Sequence, residues 1–442
     1  MNQRSVCPKW LALVLGGLVS AAQPVFAQSD LANVQNMPVT WTANRAVGTN
    51  AAVTDAAAMA PSVVAESNGA VVDQTPAPVT NEGIVAAEAT APAENADSGE
   101  APEATSPIEW SLTIAGIAQG NLGSEVWKDQ ADAVYGIDFD TTFHVGEADT
   151  MYILLEAGGN LGVDGRIPTF SGWNDHAWGD ESIEVSELWY EHQFFGTHLR
   201  GKIGKVDLTT TFDTNEYAND ENAAFISSGF INNLAVDWCD NTVGGTLWWE
   251  PNSCFNVGIG IQSTSGWDDL YHHNFGIVEV GWHPVFCGHQ GNYRFYGWAA
   301  NYPETWDEEA GEAVEGYSNY GWGFSFDQEL THFLGVWCRY GAKPDREVNP
   351  FTSHLSFGFQ LMKFAYRPDD VLGFAYGIAS ITDTYAETLD NAGNERHIEL
   401  YYSCQFNDKL TLTPNFQWVT NPEGDADAGT VFVLGLRGVF SL

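Results

Sequence analysis

The chain has 442 residues, with 17 Lys+Arg against 58 Asp+Glu for a formal charge of -41, and it carries 17 Trp, 16 Tyr and 25 Phe. That many aromatic side chains exclude a disordered chain, because they supply ample surface to bury. So acidic a balance excludes a nucleic-acid partner, which the phosphate backbone would repel.

Residues 1–27 read as a secretory signal. Arg4 and Lys9 give the charged start, Trp10 to Val19 the apolar stretch, and Val25-Phe26-Ala27 a small-residue cleavage site. Cys7 precedes the apolar stretch and is not placed for lipid attachment after cleavage. No later run reaches the ~18 apolar residues of a membrane helix, so any membrane crossing must use strands. Residues 28–108 are rich in Ala, Pro and acid, with Arg45 the one basic and Trp41 the one aromatic residue. Such a segment cannot offset its ordering entropy by burial, and it is expected to be a low-complexity periplasmic linker.

From 109 to 442 the apolar residues recur with period two. Tyr135, Ile137, Phe139, Phe143 and Val145 share one face, while Gly136, Asp138, Asp140, Thr142 and His144 line the other. Sixteen such segments fall between 110 and 441. Tight connections at 146–150, 194–197, 251–253, 329–331 and 407–408 alternate with long ones at 161–182, 208–241, 301–318, 342–352 and 381–395. Short turns at one rim and long loops at the other characterise outer-membrane barrels, with the short turns periplasmic. The expected fold class is all-β, a 16-stranded antiparallel transmembrane β-barrel over 109–442 behind a disordered linker, and a barrel that size encloses an aqueous lumen. Phe432, Leu434, Leu436, Phe440 and Leu442 form one face of the last strand. This terminal pattern resembles the assembly signal of outer-membrane barrels, so the expected partners include the barrel-assembly machinery, outer-membrane lipids and lipopolysaccharide.

Glu187-Leu-Trp189-Tyr-Glu191, followed by Leu199-Arg200-Gly-Lys202-Ile-Gly204-Lys205-Val-Asp207 and Phe212-Asp213-Thr-Asn215, resembles the early strand pair and following loop of the carbohydrate-selective porins of the OprB type. The similarity continues in Phe326-Asp-Gln328 with Arg339-Tyr-Gly341, and in Tyr366-Arg367-Pro-Asp369-Asp370 with Gly373. It ends with Glu399-Leu-Tyr401-Tyr402, Pro414-Asn-Phe416-Gln417, Asn421-Pro422 and Gly435-Leu-Arg437, so that it spans 183–442. The resemblance implies a sugar channel of a Gram-negative-type outer membrane, not an enzyme, passing mono- or oligosaccharides between inward loops and Arg, Glu and aromatic side chains. A homotrimer and a monomer are both compatible with it.

The residues themselves place the same chemistry in the lumen. Arg200 and Lys202 share a face with His198, opposite Leu199 and Ile203, and a cation facing lipid costs ~2–4 kcal/mol at the midplane. Arg200, Lys202 and Lys205 are therefore expected to line the pore. Arg294, Arg339 and Arg437 occupy polar strand faces, with Trp298 and Trp337 on the same parity. A sugar hydroxyl both donates and accepts, so Glu187, Glu399 and Asp213 are the expected acceptors and Trp189 a stacking surface. Phe212, Asp213 and Asn215 open the longest loop, 208–241, which is expected to fold into the lumen with Asp213 facing Arg200 or Lys202.

Facing rows of Arg and carboxylate also occur in ion-passing channels, so a cation-selective general porin remains open, as does a structural envelope protein tied to the cell wall. No cofactor and no metal are expected. His283, Cys287 and His289 share a turn without a fourth ligand at a zinc-like spacing. Cys254 and Cys287 both fall near the short-turn rim, and the sequence leaves their pairing open. Glu304, Asp307, Glu308, Glu309, Glu312 and Glu315 make an acidic loop at the other rim, a solvated surface or a binder of divalent cations and lipopolysaccharide.

Overall fold

The computed structural model describes residues 107–122, 126–267, 270–307, 312–364 and 367–442. The signal segment expected over 1–27 and nearly all of the linker expected over 28–108 lie outside them, as does Tyr366.

Sixteen long strands close into one antiparallel barrel. They are β1 (Ile108–Leu122), β2 (Gln130–Val145), β3 (Asp149–Asn160), β4 (Trp178–Phe194), β5 (Leu199–Val206), β6 (Thr242–Asn252), β7 (Phe255–Ser263) and β8 (Asn274–Trp282). The circuit continues with β9 (His289–Asn301), β10 (Ser318–Thr331), β11 (Leu334–Ala342), β12 (Phe351–Met362), β13 (Val371–Ile381), β14 (Glu395–Asn407), β15 (Leu410–Thr420) and β16 (Thr430–Ser441). The last strand pairs back onto the first from Thr113 with Ser441 to Leu122 with Phe432, which leaves no free edge. Every connection beginning with that between β2 and β3 alternates short and long rims as the sequence predicts. The one stretched member of the short rim is 363–370, between β12 and β13.

Alternation decides which side chains meet lipid and which turn inward. On β16, Leu434, Leu436 and Phe440 are exposed, whereas Val431, Val433, Arg437 and Val439 are buried inside. Exposed Trp110, Phe194, Trp249, Trp282 and Phe333 sit at the short-turn end of the wall, and Tyr320, Trp322 and Trp418 at the long-loop end. These are the two aromatic girdles of a membrane barrel. Among the described residues no helix is long and apolar enough to cross a membrane.

The inside is not hollow. Residues 161–177, between β3 and β4, and 207–241, between β5 and β6, fold into the lumen and carry the side chains of its apolar clusters. Val163, Ile167 and Trp173 meet Val419, Val431 and Val433 of the wall. Tyr217, Ala224, Phe225 and Phe230 meet Trp337, Ala375 and Tyr401.

Candidate functional site

The inward loop begins where β5 stops. That strand has eight residues, fewer than the ~9–11 a tilted transmembrane strand needs, so the chain leaves the wall within the membrane. The Asp207 carboxylate accepts from the Thr209 amide and hydroxyl, both at 2.7 Å, and turns the chain inward. Leu208 and Phe212 then pack against Trp248, Phe275, Tyr296 and Trp298, with Phe212 stacked on Trp248 at 5.0 Å between ring centres.

A buried loop must find partners for its backbone polar groups, and charged wall residues provide them. Asp213 adopts φ 57, donates its amide to Glu279 Oε2 at 2.8 Å, and accepts from the Asn233 amide and the Tyr296 hydroxyl, each at 2.9 Å. Arg339 Nε lies 3.2 Å from its Oδ2. Burial raises the Asp213 carboxyl to about 6, against the pull of Arg339. The Arg339 guanidinium, itself fully buried, also donates to the carbonyls of Asp213, Ala218 and Phe230 and to Asn219 Oδ1. Arg437 holds the carbonyls of Glu221 and Ala224. Glu399 accepts from the amides of Ile226 at 2.7 Å and Ser227 at 3.1 Å. Glu395 does the same for Phe170, Ser171 and Glu423.

The inward face of β11 is the template for this docking. Gly335 lies under the Tyr217 ring, where an added Cβ would come within 2.1 Å of Cζ. Trp337 meets Phe225 and Phe230, and Arg339 gathers the carbonyls. Only glycine at 335 leaves room for the loop to lie flat on the wall.

The wall from β2 to β6 has another character. Trp189 stacks on Tyr152 at 5.0 Å, and Lys202 Nζ stands 4.0 Å over the indole. Glu187 accepts from Trp189 Nε1 at 2.9 Å. Arg200 lies between Glu191, at 2.8 Å, and Glu250, at 3.1 Å. Higher on the same wall Asp138 pairs across strands with Glu156, and Glu156 with Glu184, three carboxylates in one row.

The residues singled out in the sequence thus fall into separate groups. Glu187, Trp189, Arg200 and Lys202 come together on β4 and β5. Asp213, Asn215, Arg294 and Arg339 meet at the docked loop, where Arg294 pairs with Asp327 at 2.9 Å and Asn215 bonds Ser325 and the Phe326 carbonyl. Glu399 and Arg437 hold the next stretch of that loop. Phe212, Trp298 and Trp337 are buried packing residues.

Two expectations are corrected. Asp213 faces Arg339 and not Arg200 or Lys202, because the loop crosses the lumen and docks six strands away. Lys205 does not share the inward face of Arg200 and Lys202. It falls on the parity of exposed Ile203, and its amine bonds the Val185 carbonyl at 2.6 Å.

Glu395, Glu279 and Glu250 stand outside the readings made from the sequence, and Glu191 enters them only as the end of the Glu187 motif. Glu279, alone between Val278 and Val280, carried a usable signal, since an acid inside an apolar strand run needs an inward partner. Cys254, one of the two cysteines whose pairing was open, is a free thiol.

A closed sixteen-stranded barrel with lipid-facing aromatics and a lumen narrowed by its own loops is the build of an outer-membrane porin. Comparison with known proteins specifies it further. The carbohydrate-selective porin family, OprB, matches over residues 135–442, and the chain belongs to that family. It is 23% identical over 312 residues to porin AaxA of Chlamydia abortus, covering 68% of this chain and 66% of that one. With porin AaxA of Chlamydia pneumoniae the identity is 24% over 313 residues, covering 67% and 68%. The chain thus spans about two thirds of the length of these relatives. The high-pH structure of Pseudomonas putida OprB superposes with TM-score 0.64 at 20% identity, over 76% of this chain and 94% of that one. Its low-pH form gives 0.50 at 16%, over 76% and 93%. The protein is a porin of the outer membrane.

Proposed function

We propose that the barrel passes neutral carbohydrates by passive diffusion, chemically unchanged, along the sector of lumen bounded by β2 to β6 and the inward loop. The observation that carries this reading is the cluster of Tyr152, Trp189, Lys202 and Glu187 beside the Arg200 triad of charges. Flat aromatic rings suit the apolar face of a sugar, Arg and Lys supply donors, and the carboxylates supply acceptors. Arg200, Lys202, Glu187 and Trp189 are the residues assigned to the solute path. Arg339, Arg437, Glu399, Asp213, Asn215 and Arg294 are assigned to shaping it, through the loop they hold. Proteoliposomes loaded with an impermeant polymer and diluted into isosmotic monosaccharide should swell, and more slowly in larger oligosaccharides. Absence of swelling in every neutral sugar, from vesicles that conduct ions, would overturn the carbohydrate reading.

A second property, preference for cations over anions, is supported by the row Asp138, Glu156 and Glu184. Like charges directly opposed across strands destabilise a sheet, so folding offers no reason for three in line. A pore lined by carboxylates attracts cations, which accounts for the row.

A further inference from the structure

Where the short turns gather at the periplasmic rim, side chains from two neighbouring hairpins converge. His289 opens β9, Glu329 lies near the end of β10, and His332 occupies the turn into β11. One oxygen, Glu329 Oε1, lies 3.3 Å from Nδ1 of His289 and 3.2 Å from Nδ1 of His332. The imidazole rings are 5.0 Å apart, and the three ligand atoms lie within 4.8 Å of one another. We infer that His289, Glu329 and His332 form a binding site for a divalent transition-metal cation at the periplasmic mouth of the pore.

Distance supports this first. Tetrahedral zinc with bonds of ~2.0–2.1 Å to imidazole nitrogen and carboxylate oxygen holds its ligand atoms about 3.3 Å apart. Two of the three separations already have that value. Hydrogen bonding bears on it second: His332 Nδ1 hydrogen-bonds Glu329 Oε1 at 3.2 Å, whereas His289 Nδ1, buried 3.3 Å from the same oxygen, makes no aligned hydrogen bond. A lone pair left on His289 Nδ1 is available to a cation shared with that oxygen.

The backbone beneath the site is fixed. The Gln328 side-chain amide donates to the carbonyls of His289, Gln290 and Glu329, tying the two hairpins together under the ligands. His289 and Glu329 stand on these pinned strands, where ligands keep their geometry better than on free loops, and His332 joins them from the turn. An open fourth position suits the surroundings, because Glu329 and His332 line a cavity of about 440 Å3 that also meets Glu216, Tyr217, Asn292 and Asp327. A cation held there adds positive charge to the cavity that Glu216 and Asp327 share with Glu329 and His332, at the short-turn mouth of the pore. Two imidazoles and one carboxylate select zinc, copper or nickel over calcium or magnesium, which take oxygen ligands.

The test uses the full barrel in detergent and ZnCl2 as probe, read by equilibrium dialysis, which needs no conducting channel and so stands apart from the sugar reading. One strong site per chain is expected, weakened at least ~10-fold in His289→Ala with His332→Ala and in Glu329→Gln. Heat-modifiable migration of the variants on gels confirms that they still fold. In planar bilayers, ZnCl2 on the short-turn side should lower the cation current of the wild type and leave that of the double variant unchanged. Zinc binding of equal strength in the folded double variant, or no strong site in the wild type, would overturn the assignment.

Discussion

Replacing Arg339 with Leu removes the side chain on which the inward loop depends most. Its guanidinium is fully buried, contacts the Asp213 carboxylate at 3.2 Å, and donates to three loop carbonyls and to Asn219. Leu fills part of the volume but leaves a buried carboxylate and three carbonyls without that partner. Breaking a buried ion pair from one side costs about 3–5 kcal/mol, and the stranded carbonyls overlap with that cost because they share the same donor. At ~1.4 kcal/mol per tenfold, the equilibrium between docked and released loop shifts by a factor of roughly 10^2 to 4 × 10^3. The barrel wall itself loses no strand pairing, so folding and insertion should persist. Single-channel recording is the assay: the variant should show larger or noisier open-channel current, and limited proteolysis should cut within 207–241 where the wild type resists. Unchanged conductance together with unchanged protease resistance would refute the idea that this arginine fastens the loop.

Three further outcomes are expected. Replacing Arg200 and Lys202 together by Ala unpairs Glu191 and Glu250 and uncovers the Trp189 ring, so the reversal potential in a KCl gradient should move toward stronger cation preference; no movement would remove both from the solute path. Neutralising the acidic row as Asp138→Asn, Glu156→Gln and Glu184→Gln should move the same potential the other way and raise barrel stability by a fraction of ~1 kcal/mol per relieved pair, as measured by denaturant unfolding. Cysteines placed at Glu304 or Glu315 should react with an impermeant reagent added to intact cells, whereas those at Asn407 or Asp408 should not; labelling at both rims would contradict the orientation.

The barrel was legible because two periodic signals survive in one sequence. Period-two alternation marks the strands, and the rhythm of short and long connections marks the rims, so the ends of most strands fall within two residues of expectation. Parity also tells which charges turn inward: Arg200, Lys202, Arg339 and Arg437 do. It does not tell what covers them. Arg339 and Arg437 meet loop residues more than a hundred positions away, and no local pattern announces those contacts. For that reason residues read as facing the solute prove to be clasped by backbone carbonyls, and Asp213 finds Arg339 where Arg200 was expected. The site at His289, Glu329 and His332 was hidden for the same reason, since its ligands belong to different hairpins and only strand register brings them together.

In the proposed porin a neutral sugar and an ion share one loop-narrowed path. Single-channel current through the wild-type barrel in KCl, recorded while a neutral disaccharide is added in steps, tests this most directly. Transient interruptions are expected, with a frequency that rises with sugar concentration and weakens when Arg200 and Lys202 are replaced. A steady current that falls only as solution viscosity rises would contradict it.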